Sequence, residues 1–238
     1  MIYITGDTHG DFQRIETFCN RMGTTYDDIM IILGDAGINF SGGSYDEKLK
    51  SYLLRLPITL FCIHGNHEMR PETLPGYQEV SWHGGKVYRE IEYPNILFAK
   101  DGEIFDFDGK KTVVLGGAYS IDKAYRLANG WPWFADEQPS GKIKEYAEKK
   151  LAEADWNVDY VLSHTVPYRF EPREVFMKGI DQRKVDKSTE FWLDTIEKRL
   201  NYTHWYAGHF HANLWKNKLT FLFGIIEEFG RRTSNPLS

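Results

Sequence analysis

Side chains that can hold a metal ion cluster at five places in the sequence, each directly after an apolar stretch. The clusters combine Asp, Asn and His with small residues, and five of the eight histidines lie within them. Carboxylate, amide and imidazole groups without a thiolate suit Mn, Fe or Zn better than a soft metal. The sequence therefore predicts a metal site built from residues 6–10, 34–35, 65–68, 163–164 and 208–211.

Two of these clusters place candidate ligands two residues apart. Asp7 and His9 have this spacing, and so do His209 and His211. In an extended segment such residues point to the same side, so each pair can face one site. Together the clusters hold more candidate ligands than one tetrahedral ion needs. Two ions that share a bridging carboxylate form the simplest arrangement that uses them.

The elements that must position these residues alternate between strand and helix. Apolar runs at residues 1–5, 29–33 and 58–63 predict buried strands, and helical spacing of apolar residues predicts helices at 11–22 and 45–56. Strands joined in this way are parallel by default. Ligands of open α/β sheets bind beyond the carboxyl ends of the strands, where the polar clusters lie.

The rest of the chain predicts further strands and two more helices. Asp108-Gly109 is a strong hairpin-turn sequence. Residues 116–139 are predicted as a long irregular loop, whose aromatic content favours a functional role over disorder. Without an evident repeat or linker, we predict one domain over residues 1–238. The predicted strands are 96–98, 103–107, 111–115, 160–163, 204–207, one near 214 and 219–226, and the helices are 141–154 and 189–200.

Composition narrows the classes of partner. The hydrophobic content of 42% and the charged content of 26% are ordinary for a globular protein. The net charge is −5 and the basic residues are scattered, which argues against an extended nucleic acid as partner. The sequence has neither the pattern of an export signal nor an apolar run of membrane-spanning length, so we expect a cytoplasmic protein without a membrane partner.

The ordered motifs resemble those of the calcineurin-like metallophosphoesterase superfamily. The order is Gly-Asp-x-His-Gly, Gly-Asp, Gly-Asn-His-Glu, His and Gly-His-x-His, and it spans residues 6–211. Five motifs in order make the resemblance specific. It implies an α/β fold in which two facing mixed β-sheets are flanked by helices, an αββα sandwich. It also implies an enzyme that hydrolyses phosphate esters with two divalent metal ions.

The resemblance also implies a role for each motif residue. Asp35 would bridge the two ions, and His67 would assist the leaving oxygen. A hydroxide shared by two ions about 3.5–4 Å apart would attack phosphorus. We expect Mn²⁺, with Fe or Zn as alternatives. The implied ligands are Asp7, His9, Asp35 and His211 for the first ion, and Asp35, Asn66, His164 and His209 for the second.

One departure from the family pattern concerns the phosphate-binding cation. The protein Ser/Thr phosphatase branch carries an Asp-Arg pair shortly after its Gly-Asp motif, whereas this chain reads Ala-Gly-Ile-Asn over residues 36–39. This difference lowers the expectation of that branch. Arg suits bidentate contact with phosphate, so we predict that Arg126 binds the substrate, with Tyr119 from the same loop beside it.

We therefore predict a phosphatase that acts on a phosphorylated small molecule or a phosphoprotein. The alternative within the enzyme class is a phosphodiesterase or nuclease that uses the same site. A scaffold that has lost catalysis ranks lower, because neither the ligands nor His67 are missing. The oligomeric state is left open.

Four smaller features carry structural interpretations. Glu68 is interpreted as a hydrogen-bonding residue rather than a catalytic one, and His83-Gly84-Gly85 as a turn. The aromatic residues 131–134 are interpreted as a hydrophobic plug in preference to a substrate-stacking wall. Residues 170–187 are predicted to form a solvated loop that covers the site.

Overall fold

In a computed structural model, which describes residues 1–231, the chain forms two β-sheets. Its first part alternates strands and helices as predicted, with β1, β2 and β3 in parallel. All four side chains of β2 are buried, as expected for a strand covered on both faces. The elements are β1 (Ile2–Thr5), α1 (Gln13–Met22), β2 (Ile29–Ile32), α2 (Ser44–Leu53) and β3 (Thr59–Cys62).

The first sheet is completed by β4 (Tyr77–Trp82), β5 (Gly85–Glu90), β6 (Ile96–Ala99) and β13 (Ile226–Glu228). Its strand order is β13-β1-β2-β3-β6-β5-β4, with β13 and β5 antiparallel to their inner neighbours. The hairpin of β4 and β5 was not predicted. His83 and Gly84 form its turn with φ of 46° and 81°, which confirms the interpretation of this segment as a turn.

The second sheet has the order β11-β12-β10-β9-β8-β7 and is also mixed. Its core strands lie where the sequence predicted them. The turn between β7 and β8 is Asp108-Gly109, and both residues have the positive φ of a tight hairpin turn. The strands are β7 (Ile104–Phe107), β8 (Lys110–Leu115), β9 (Tyr160–Ser163), β10 (His204–Ala207), β11 (Leu214–Lys216) and β12 (Leu219–Phe221).

The prediction of one strand over residues 219–226 is wrong. This stretch contains β12, which pairs with β10 in the second sheet, and the first residue of β13, which pairs with β1 in the first sheet. The chain crosses between the sheets over residues 222–225. Residues 219–226 are mostly apolar and both ends of the stretch are buried, so the pattern does not show where the chain leaves one sheet for the other.

The predicted loop at 116–139 contains a short helix, α3 (Lys123–Ala128), so it is not wholly irregular. Both predicted later helices are present as α4 (Gly141–Glu153) and α5 (Ser188–Glu197). The segment before α5 contains three 3₁₀ turns, at Tyr168–Phe170, Arg173–Val175 and Gln182–Lys184. A further 3₁₀ turn covers Pro71–Thr73.

The two sheets face each other, and helices cover their outer faces, as the αββα expectation requires. Phe61 of the first sheet belongs to the same buried cluster as Val114 and Leu162 of the second. Side chains of α1 and α2 pack on the outer face of the first sheet, and those of α4 and α5 pack on the second. Full burial of a side chain such as Phe61 contributes about 1.5–3 kcal/mol. The packing holds the strand ends of both sheets along one edge.

None of the helices within residues 1–231 has both the length and the apolar character needed to cross a bilayer.

Candidate metal centre

The strand ends of both sheets bring the predicted ligands together. Asp7 and His9 follow β1, and His211 lies four residues beyond the end of β10. The Oδ2 atom of Asp7 lies 3.3 Å from Nε2 of His211 and 3.8 Å from Nε2 of His9. The two imidazole Nε2 atoms are 2.9 Å apart. These three side chains form a first group that can surround one cation.

A second group lies beside the first. His164 Nε2 is 2.9 Å from Oδ1 of Asn66 and 3.6 Å from Oδ2 of Asp35. The ring of His209 packs on that of His164 with centroids 5.0 Å apart. Oδ2 of Asp35 is also 4.0 Å from Nδ1 of His9. The Asp35 carboxylate therefore lies between the two groups, where a bridging ligand must be.

The chemistry of the donors fits divalent cations. Oδ1 of Asp7 accepts a hydrogen bond from the backbone N–H of His209, but Oδ2 is buried without a hydrogen-bond donor. A buried carboxylate oxygen without a hydrogen-bond donor is costly unless positive charge compensates it, and only the imidazole nitrogens of His211 and His9, at 3.3 Å and 3.8 Å, are paired with it among the described residues. Ligand atoms of Asp7, Asp35 and His164 lie within 4.8 Å of one another, as do those of Asp7, His9 and His211. The predicted ligands can thus hold two ions.

Hydrogen bonds behind the ligands fix their orientation. The Nδ1–H of His164 donates to the carbonyl oxygen of Leu33 over 2.7 Å, so Nε2 is the ring atom that faces Asn66 and Asp35. Asn66 Nδ2 donates to Oγ of Ser120 over 2.9 Å, so its Oδ1 faces the site. Ser120 Oγ in turn donates to Glu137 over 2.5 Å. These partners give each ligand one preferred atom for the ion.

Sequence reasoning missed Ser120 and Glu137. Both lie in the segment 116–139, and neither belongs to a recognisable motif. Glu137 also accepts a hydrogen bond from the indole of Trp133 over 2.9 Å, so the aromatic stretch supports the metal site indirectly. Trp131 is 53% exposed, so the plug interpretation is wrong for this residue.

The backbone at several predicted ligands is strained. His9, Asp35, His209 and His211 have φ between 48° and 63°, in the left-handed region. Residues other than glycine adopt this region rarely, and such strain is concentrated at functional sites. Four of the seven predicted ligands have this left-handed backbone. The surrounding fold must therefore offset the conformational energy of the cluster.

Glycines let the ligands of different strands approach one another. A Cβ atom on Gly65 would lie 2.1 Å from Oδ1 of Asp35, and one on Gly208 would lie 2.4 Å from Oδ1 of Asp7. Both distances are too short for any side chain. The glycine before Asn66 is therefore required by the carboxylate after the neighbouring strand β2, and the glycine before His209 by the carboxylate after β1 of the other sheet.

The charges of the cluster depend on one another. Burial alone would raise the pKa of Asp35, but the charge of His164 and its hydrogen bond hold that pKa well below the usual range. Burial would likewise lower the pKa of His164, but Asp35 and Asp7 raise it to about 9. Burial and the charge of His164 lower the pKa of His209 to about 3. The carboxylates thus stay ionised and favour positive charge between them.

Glu68 lies beneath the cluster. Its carboxylate is fully buried, and Oε1 accepts a hydrogen bond from the backbone N–H of Gly65 over 2.8 Å. Burial, followed by the charge of Asp35, raises the pKa of Glu68 to about 8. This contact agrees with the interpretation of Glu68 as a hydrogen-bonding residue that supports the loop after β3.

Comparison with known proteins now assigns the family. The sequence matches the family model of the calcineurin-like phosphoesterases over residues 1–213. The chain belongs to this family. Its members hydrolyse phosphate esters and typically bind divalent metals, which agrees with the ligand groups described above.

Comparison with solved structures gives matches of low sequence identity. The chain is similar to a Thermus thermophilus protein, with 14% identity over 93% of this chain and 87% of that one, at a TM-score of 0.49. It is also similar to a protein of unknown function from Aquifex aeolicus, with 15% identity over 72% of this chain and 81% of that one, at a TM-score of 0.33. No curated protein matches the sequence.

The remaining predicted site residues of this phosphoesterase-family chain lie beside the metal ligands. The ring of His67 is 5.9 Å from that of His9, and Arg126 of α3 donates from Nη2 to Nε2 of His67 over 3.3 Å. Arg126 also donates from Nε to Asp122 over 2.8 Å. Burial lowers the pKa of His67, and the charge of Arg126 lowers it further, whereas Asp35 raises it. Arg126 is thus held next to the position predicted for the substrate.

Two cavities share His67 in their lining. The first, which we call the Phe176 cavity, has a volume of about 430 Å³ and includes Tyr119, Phe176, Met177 and Phe210 in its lining. Part of the segment 170–187 therefore lies over the site, as predicted. The second, the Phe40 cavity, has a volume of about 420 Å³ and is lined by His9, Gly37, Phe40, Ser41, Tyr45, His67 and Arg126.

Proposed function

We propose that the protein hydrolyses phosphate esters at a pair of divalent cations. The observation that carries this proposal is the arrangement of two ligand groups around the Asp35 carboxylate, next to a buried oxygen of Asp7 without a hydrogen-bond donor. Bound cations would supply two things here, a lowered pKa for water and charge stabilisation at the phosphoryl oxygens. The scaffold alternative is disfavoured, because the ligands and His67 are all present.

The chain's own residues divide the remaining work. Asp7, His9 and His211 would hold one cation and Asn66, His164 and His209 the other, with Asp35 shared. His67 would hold the proton that the leaving oxygen needs. Arg126, whose guanidinium lies beside His67, would orient the phosphate. The negative charge of a phosphate placed between these two side chains raises the pKa of His67 and favours its protonated form.

Mn²⁺ is the proposed metal, with Fe or Zn as alternatives, since the donors are carboxylate, amide and imidazole. The proposed substrate is a small phosphorylated molecule, and the proposed location is the cytoplasm. A phosphoprotein substrate would have to bring its phosphorylated side chain to His67 and Arg126.

Metal reconstitution tests the proposal. Protein stripped with a chelator is loaded with Mn²⁺, Zn²⁺, Fe²⁺ or Mg²⁺, and metal content is measured together with hydrolysis of p-nitrophenyl phosphate and bis-p-nitrophenyl phosphate. We expect two ions per chain and hydrolysis that depends on them. A protein that binds no stoichiometric metal would show the proposal to be wrong.

The role of His67 has its own test. His67→Ala should keep both ions and lose about 10²–10⁴-fold in turnover, the usual contribution of a general acid. His83→Asn serves as the control, because His83 lies in the turn between β4 and β5 and Asn tolerates its left-handed backbone. Loss of metal from His67→Ala, or unchanged turnover, would remove this role.

A further inference from the structure

We infer that the organic group of the substrate carries hydroxyl groups, which donate to oxygen atoms of Asp122, Gln182 and Glu190 in the Phe176 cavity. This inference rests on the proposed function, which requires only that some phosphate ester is cleaved at the metal centre. It goes further by naming the class of the organic group. This group is a sugar or an open-chain polyol, and the competing class is an aryl or alkyl group without hydroxyls.

The first argument is the position of the Phe176 cavity, which adjoins the predicted metal centre. Its lining includes the predicted ligands Asp35, Asn66 and His209, together with His67. Its volume of about 430 Å³ lies within the range of small-molecule sites. An ester whose phosphorus lies at the ions can therefore place its organic group in this cavity.

The second argument is a set of oxygen atoms that lack hydrogen-bond donors. Three residues in the lining of the Phe176 cavity each have a buried oxygen atom that no donor within residues 1–231 reaches. The atoms are Oδ1 of Asp122, Oε1 of Gln182 and Oε2 of Glu190. A buried acceptor without a donor costs free energy, and most buried polar side-chain atoms have at least one partner. A ligand with several donors would supply the missing partners.

The third argument is the way in which Glu190 is held. Glu190 is only 3% exposed and lies in the first turn of α5. Its Oε1 accepts a hydrogen bond from the hydroxyl of Thr165 over 2.8 Å, and Thr165 follows the predicted ligand His164 in the chain. This hydrogen bond ties the carboxylate to the metal-binding segment after β9 and leaves Oε2 without a donor. Glu190 is therefore the acceptor with the most clearly defined position.

The fourth argument is the apolar character of the other walls. They include Val175, Phe176, Met177, Val185 and Phe210. A sugar or polyol carries hydroxyl donors along a carbon skeleton, and the C–H groups of that skeleton can contact apolar side chains. An aryl or alkyl group could make the apolar contacts but would leave the acceptors unpaired, which a site built for hydroxyl groups rejects.

The distribution of the acceptors favours hydroxyl groups over an ammonium group. Asp122 directly precedes α3, Gln182 lies in a 3₁₀ turn and Glu190 in α5, so three separate elements contribute. Gln182 offers a neutral oxygen, and the Asp122 carboxylate is already paired with Arg126 at 2.8 Å. Several donors spread over one group match this set better than the single positive charge of an amine.

Matched phosphate esters allow a direct test. Glucose 6-phosphate is compared with cyclohexylmethyl phosphate, and glycerol 3-phosphate with propyl phosphate. The members of each pair share the phosphate and have carbon skeletons of similar size, but only one of them carries hydroxyl groups. The inhibition constant of each ester is measured with the Mn²⁺-loaded protein against whichever nitrophenyl ester the protein hydrolyses. The first pair tests a sugar ring and the second an open chain, and O-phosphoethanolamine tests an ammonium group.

We expect at least one hydroxylated ester to have a lower inhibition constant than its matched partner. Glu190→Leu and Gln182→Ala should each reduce this preference by about two- to tenfold, the usual effect of one lost hydrogen bond. Thermal melting checks that the variants fold. Gln182 is only half-buried, so Gln182→Ala decides the question if Glu190→Leu does not fold.

Each variant has a matched control. Glu227→Leu matches Glu190→Leu, because Glu227 is 2% exposed, accepts a hydrogen bond from the indole of Trp215 and lies outside the cavity lining. Gln78→Ala matches Gln182→Ala, because Gln78 is an exposed residue of β4 outside the lining. Both controls should keep the preference of the wild-type protein.

The failures are distinguishable. If neither nitrophenyl ester is hydrolysed with any metal, the proposed function is wrong and this inference falls with it. If one is hydrolysed but neither hydroxylated ester binds more tightly than its matched partner, the inference is overturned and the proposed function stands. A preference that both variants leave unchanged would also overturn the inference, and so would tighter binding of O-phosphoethanolamine than of both hydroxylated esters.

Discussion

The predicted metal ligands and the two cavities beside them are built from different parts of the chain. The ligands lie at or just beyond the ends of five strands, and hydrogen bonds from the backbone and from buried side chains hold them. The cavity walls come largely from residues 37–45, 119–126 and 175–187, outside the strands. Metal binding and substrate selection can therefore depend on different parts of the chain. Strand ends can hold an ion in place, and the connecting segments can select the ester.

The two regions also differ in how firmly their side chains are held. Asp35 and Asn66 are almost fully buried, whereas Tyr45 and Met177 project into solvent. Changes among the ligands should therefore affect every substrate, and changes in the walls should affect the choice among substrates. Three further variants test the first expectation. They change a predicted ligand, the hydrogen-bond partner of a ligand and a buried residue beneath the cluster.

The largest effect is expected for Asp35→Asn, which keeps the shape of the side chain but removes the shared charge. Loss of a bridging carboxylate should reduce bound metal from two ions to one or fewer and lower turnover about 10³-fold or more. Metal analysis and hydrolysis of both esters measure these changes. Asp106→Asn is the control, because Asp106 accepts a hydrogen bond from Gly109 in an exposed hairpin. Two ions retained in Asp35→Asn would contradict the bridging role.

An intermediate effect is expected for Ser120→Ala, which removes the partner of Asn66. A residue that orients a metal ligand typically contributes about 10–100-fold to metal affinity or activity. Metal titration of the chelated variant should therefore show one weakened site. Ser51→Ala is the control, since Ser51 lies on an exposed face of α2. Unchanged affinity would mean that other contacts hold Asn66 in place.

The smallest effect on activity is expected for Glu68→Gln, which tests the support beneath the ions. The pKa of Glu68 is about 8 in the folded chain against an ordinary value of 4.5. The unfolded chain therefore releases this proton first, and folding stability falls as pH rises from about 4.5 to 8. Metal-free wild-type protein should lose about 1–4 kcal/mol more than Glu68→Gln over this range. Urea unfolding at several pH values measures the difference, and parallel pH profiles would refute the prediction.

The ligand cluster was predictable because each predicted ligand lies within a few residues of the strand that positions it. Asp7 and His9 lie just after β1, and the end of a parallel strand fixes the edge of the sheet on which its ligands lie. The extended backbone expected for the Asp7/His9 and His209/His211 pairs is wrong, because three of these residues have positive φ. Glycine in the motifs gave a further signal, which the close contact of Gly65 with Asp35 explains. The assignment of each ligand to one ion came from the resemblance and stays a prediction.

The surroundings were not predictable in the same way. Most side chains in the hairpin of β4 and β5 are half-buried or exposed, so it lacks a strong apolar pattern. Ser120 and Glu137 act through contacts between segments that are distant in the sequence. No residue spacing in the sequence predicts these contacts. The crossing between β12 and β13 was missed because residues 219–226 are mostly apolar, whereas the two glutamates of β13 lie beyond the predicted strand.

The division of the ligands between the sheets has a consequence for the lifetime of the protein. Asp7, His9, Asp35 and Asn66 follow strands of the first sheet, and His164, His209 and His211 follow strands of the second. An ion bound by both sets ties the sheets together, and it binds only when they are docked. At a free concentration 1,000 times its Kd, such an ion adds about 4 kcal/mol to stability. Depletion of the cation in a cell would thus make the protein more susceptible to proteolysis and would also lower its proposed activity.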